Sequence, residues 1–84
     1  MDGNIMPSYS EYKYFSPILG VDSARLSMQD KHGREHFAII PLDGTGKQNR
    51  LLRRKALDTI YDHIENGSEP GEVIIGGQHD DVNL

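Results

Sequence analysis

The sequence predicts an α+β fold: a small antiparallel sheet of three to four strands, including a central β-hairpin, packed against one long amphipathic helix. Three patterns carry this reading. Apolar residues recur every four positions from Leu52 to Ile64, two alternating segments flank a turn sequence at Asp30-Lys31-His32-Gly33-Arg34, and aromatic residues alternate around Lys13.

The first element is a strand through Tyr12-Lys13-Tyr14, with Tyr9 upstream and Phe15 downstream. Alternating aromatics suit a pleated surface, and a short helix over the same residues is the alternative. Pro17 ends the segment, and Ile18-Leu19-Gly20 makes a bend. Next, Ala24, Leu26 and Met28 alternate with Arg25, Ser27 and Gln29, and the run Glu35-His36-Phe37-Ala38-Ile39-Ile40 follows the turn. Asp30 suits the first position of a type I turn, and Gly33 can take the left-handed conformation that the closing bulge needs. Pro41 cannot donate to a ladder, so the second hairpin strand ends there or lies at an edge.

The helix spans about Gly46 to Asn66. Thr45 is its N-cap, and Gln48 three residues on completes a capping box. Leu52, Ala56, Ile60 and Ile64, with Leu57 and Tyr61 beside them, form its apolar stripe. Asn66-Gly67 supplies a C-terminal stop, and Pro70 forbids continuation. Val73-Ile74-Ile75 is then a short final strand. The packed domain spans residues 9–75, between a flexible leader at 1–8 and a flexible acidic tail at 76–84.

A chain of 84 residues supports one domain. Domains this small bury only about 60–65% of the surface the unfolded chain exposes, so many add disulfides, metals or a second subunit. The chain has no cysteine, which excludes disulfides and thiolate metal sites and makes self-association a reasonable expectation. No apolar run approaches the ~20 residues that span a bilayer, and no signal peptide is visible, so a cytoplasmic location is expected. The net charge of -4 argues against nucleic-acid binding through the whole surface.

Four groups of residues invite a chemical reading. Gly44-Thr45-Gly46-Lys47 looks like the end of a phosphate-binding loop, but Pro41 and Gln48 stand where that motif needs glycine and a hydroxyl residue. A capped strand-to-helix turn explains it better. The helix carries Lys47, Arg50, Arg53, Arg54 and Lys55 in its first half, and Asp58, Asp62 and Glu65 in its second. The helix dipole favours the reverse order, so local stability does not explain the arrangement. Lys47, Arg50, Arg54 and Lys55 are therefore candidate partner-binding residues, whereas Arg53 falls near the apolar stripe and is read as snorkelling. The plain alternative is a solvated face with chance segregation of charge.

Tyr9, Tyr12 and Tyr14 form the second candidate contact, because tyrosine and arginine are enriched at protein interfaces. The plain alternative is ordinary packing with hydroxyls reaching solvent. His32, His36, His63 and His79 show no zinc-pair spacing, and no serine sits in a recognisable catalytic turn. His79-Asp80-Asp81 and the terminal Val82-Asn83-Leu84 are weak signals for a loosely held cation and for a strand-adding groove. The sequence therefore implies a non-catalytic protein-binding module (an inhibitor, adaptor or regulatory subunit) with no metal, cofactor or membrane partner. The partner is another protein or a second copy in a homodimer. The alternative is a nucleic-acid-binding regulator using the basic half of the helix, with Lys31 and Arg34 as helpers.

Overall fold

Alternation along the strands decides what the sheet buries. The computed structural model describes residues 8–76, so the expected leader and tail lie outside the described residues apart from Ser8 and Gly76. The elements are β1 (Ser10–Ser16), β2 (Val21–Gln29), β3 (Glu35–Pro41), α1 (Gly46–Glu65) and β4 (Glu72–Ile74), in a sheet of order β1-β2-β3-β4. β1, β2 and β3 form an antiparallel meander in which Leu26 stands opposite Glu11 on one side and Ala38 on the other. The stretch around Tyr12 is thus a strand, not a helix.

Ala24, Leu26 and Met28 of β2 and Ala38 and Ile40 of β3 point to one face. α1 lies across β3 and β2 on that face and contributes Ala56, Leu57 and Ile60, while Ile75 closes the cluster. Each such leucine or isoleucine, fully buried, is worth about 1.5–3 kcal/mol relative to an exposed one. β1 lies beyond the helix.

The capping residues act as their spacing implies. Thr45 Oγ1 accepts from the Gln48 amide at 3.1 Å, and Gln48 Oε1 accepts from the Thr45 amide at 2.9 Å. Asn66 is the C-cap, and Gly67 follows with φ 72°. The β2–β3 turn closes through Gly33 N–H to Asp30 O at 2.9 Å, with Gly33 at φ 81°. Asp30 stiffens that turn further. Its Oδ1 accepts from the amides of His32 and Arg34, and its Oδ2 lies 3.0 Å from both Arg34 Nε and His36 Nε2.

One detail departs from the all-antiparallel expectation: β4 runs parallel to β3. The reason is geometric. α1 carries the chain back along the sheet, so the segment after Pro70 enters from the end where β3 began. Phe37 N–H to Gly71 O at 3.0 Å and Ile75 N–H to Ile39 O at 2.8 Å hold it there. The chain then reaches Gly76, which is buried at φ 84°, with an added Cβ only 3.0 Å from Leu52 Cδ2. Among the described residues, no helix is long and apolar enough to cross a membrane.

Candidate functional site

The face of the sheet opposite α1 has no helix on it among the described residues. Register alone says what it carries. Tyr12 stands opposite Arg25, Arg25 opposite Ile39, and Ile39 opposite Ile74. One row over, Ser10, Ser27, Phe37 and Glu72 line up in the same way. Residues of both rows therefore share this open face.

Arg25 organises its centre. Its guanidinium carbon sits 4.0 Å from the centroid of the Phe37 ring, within cation–π range. Its Nε lies 3.4 Å from Glu72 Oε2 but finds no hydrogen-bond partner among the described residues. Tyr12 and Tyr14 stack with centroids 6.0 Å apart and planes 26° from parallel. Ile39 is buried here, outside the helix-side cluster. An open groove of about 420 Å³ runs between Tyr12, Arg25, Ser27 and Phe37, with Glu35 at its rim.

The structure separates the expected site residues into two surfaces. Tyr12 and Tyr14 share the open face. Tyr9 does not join them: it precedes β1 and stands three residues from Tyr12, out of phase with the alternation that places Tyr12 and Tyr14 on one face. Lys47, Arg50, Arg54 and Lys55 are all exposed along the outer side of α1, across the sheet from the tyrosine stack. None of the four has a described carboxylate within 4 Å. The helix start itself is self-satisfied at Gln48 by the capping box, so the Gly44-Thr45-Gly46-Lys47 segment is a capped turn in the structure.

Arg53 behaves differently from its neighbours. Its Nε and Nη2 donate to the two carboxylate oxygens of Glu11 at 2.8 and 2.9 Å, which ties α1 to β1. That hydrogen-bonded pairing lowers the Glu11 carboxyl below its ordinary range and raises the Arg53 guanidinium, against a smaller opposing effect of burial. The snorkelling Arg53 is thus a structural clamp.

Among the described residues, no group of three histidine, aspartate or glutamate side chains is placed to hold a metal. His36 is buried on the helix side of the sheet and bonded to Asp30; the His79-Asp80-Asp81 and Val82-Asn83-Leu84 readings fall outside the described residues.

Arg25 and Phe37 are the surface residues that sequence reasoning missed. The signal was present: both sit in alternating strands at positions that point away from the apolar set. Only the strand register shows that they meet. Comparison with protein-family models, with curated proteins and with solved structures finds no match for this chain.

Proposed function

We propose that this chain is a small non-catalytic protein-binding module (an inhibitor, adaptor or regulatory subunit) that meets its partner through β1 and the open face of the sheet. One observation carries the reading. Of seven exposed large apolar side chains among the described residues, four lie on or beside β1: Tyr9 just before it, Tyr12 and Phe15 on it, and Ile18 in the turn that follows. Tyr12 is 67% and Phe15 61% exposed, which costs hydration free energy unless something covers them. Arg25 and the Tyr12–Tyr14 stack add the residue types that dominate binding energy at protein interfaces. A cytoplasmic setting is supported by the absence of cysteine in a domain small enough to gain from a disulfide.

Affinity capture on the immobilised full chain, from the source cell's lysate, tests this. The expected result is a specific protein retained by the wild type and lost by a Tyr12→Ser/Phe37→Ser variant whose circular dichroism is unchanged. Retention that ignores these two substitutions overturns the reading.

A second reading rests on the four outward cations Lys47, Arg50, Arg54 and Lys55. They suit phosphate contacts in a nucleic-acid-binding regulator, whose affinity falls steeply with salt. Fluorescence titration against duplex and single-stranded DNA at two salt concentrations tests it. The acidic total of -4 and the acidic groups Glu35 and Glu72 on the open face favour the protein partner.

A further inference from the structure

We infer that the chain forms a two-fold homodimer in which β1 pairs antiparallel with β1 of a second copy, centred on Tyr12. The inference rests on the reading of β1 as a contact strand and names its partner.

The backbone dictates which groups are free. Leu42 N–H donates to Asp22 O, and Asp30 N–H donates to Arg34 O, so the even-numbered residues of β2 direct their amides and carbonyls to β3. Its odd-numbered residues therefore face β1. With Arg25 opposite Tyr12 and Ser23 opposite Tyr14, the even-numbered residues of β1 complete that ladder. Glu11, Lys13 and Phe15 are left with their amides and carbonyls directed to an edge that no strand pairs with among the described residues. This edge is seven residues long and has no proline or bulge, whereas the other edge strand, β4, has three. An unprotected edge of this length is a template for another strand.

The side chains select both the partner and the register. With Tyr12 on the two-fold axis, Glu11 faces the partner's Lys13, and Lys13 faces the partner's Glu11. Tyr9 faces the partner's Phe15, and the two Tyr12 rings meet on the open face. Opposite charges and aromatic pairs directly across a ladder stabilise it, and like charges there destabilise it. Shifting the axis to Lys13 or to Glu11 instead sets a charge against its own copy. α1 leaves room for the pairing because it packs over β3 and β2 and, among the described residues, reaches β1 through the Arg53 side chain on Glu11. The product is one eight-stranded sheet with both tyrosine stacks side by side.

Because the chain has no cysteine, single thiols report the register without background. Across the axis, the two copies of position 12 form a non-hydrogen-bonded pair with Cα atoms about 4.5 Å apart, which a disulfide can bridge. The two copies of position 14 lie four residues out of step, about 14 Å apart, beyond its reach. Under mild oxidation, Tyr12→Cys should form a covalent dimer at least about tenfold faster than Tyr14→Cys. Sedimentation of the wild-type protein over a concentration series should show a monomer–dimer equilibrium. Lys13→Glu, which creates two like-charge pairs, should weaken it about tenfold. A wild-type chain that stays monomeric to about 1 mM (a Kd that weak is a few kcal/mol of binding), or thiols that cross-link equally at both positions, overturns the proposal. A monomer that still captures a Tyr12-dependent protein overturns the dimer alone and leaves the binding-module reading standing.

Discussion

Replacing Glu11 by glutamine probes the clamp between the helix and the outer strand. Among the described residues, the side-chain hydrogen bonds that join α1 to β1 are the two from Arg53 to Glu11. The Arg53 side chain is 26% and the Glu11 side chain 18% exposed, so the pair is neither a surface pair worth about 0–1 kcal/mol nor a fully buried one whose breakage costs about 3–5 kcal/mol. Glutamine keeps the shape and one acceptor but loses the charge and the bidentate geometry. The expected loss is about 1.5 kcal/mol, intermediate between those limits. For a domain of this size that lowers Tm by about 6–12 °C. Urea unfolding of Glu11→Gln, Arg53→Met and the double variant, at micromolar protein, isolates the coupling. Because the native carboxyl is lowered from 4.5, its contribution is complete above that value and fades as pH falls through the native one. Wild type and Glu11→Gln should therefore converge in acid. A coupling below about 0.5 kcal/mol at neutral pH would refute the assignment of a clamp.

Ile60→Ala opens a cavity beneath the centre of α1, where the side chain is fully buried, and should cost about 2–5 kcal/mol in a thermal or urea melt. Against a total of about 5–15 kcal/mol, that leaves a weakly folded protein. Asp30→Asn tests the turn. His36 first, then the amides of Arg34 and His32 and the Arg34 side chain, hold this carboxyl well below the usual carboxylate range. A depressed carboxylate stabilises the native state above its unfolded value of 3.8 and loses that contribution only as pH falls further. The asparagine variant should be less stable at neutral pH and should show a flatter acid limb in circular-dichroism titration; an unchanged acid limb would show that Asp30 contributes nothing there.

What could be read from the chain alone was local. The capping box at Thr45 and Gln48, the stop at Asn66-Gly67 and the turn at Asp30 and Gly33 each depend on a few neighbouring residues, and each stands where its chemistry required. The open face depended on register. Arg25 reaches Phe37 and Glu72 across strands, and Glu11 meets Arg53 from 42 residues away. Pattern along one strand says which residues share a face, but not which strand lies beside it. Tyr9, Tyr12 and Tyr14 looked like one cluster, although only Tyr12 and Tyr14 lie in β1 and stack. The direction of β4 was hidden too, because it follows from where α1 delivers the chain.

The late arrival of β4 also orders events during synthesis. The meander is complete once Pro41 has emerged, yet the inner flank of β3, which is to take Ile75 and Gly71, stays bare until some thirty more residues follow, a helix among them. A nascent or proteolysed chain ending before Gly71 would display that flank, with Ile39 on it, to any extended polypeptide nearby. Three residues of strand thus cover the flank of the meander that synthesis leaves open longest.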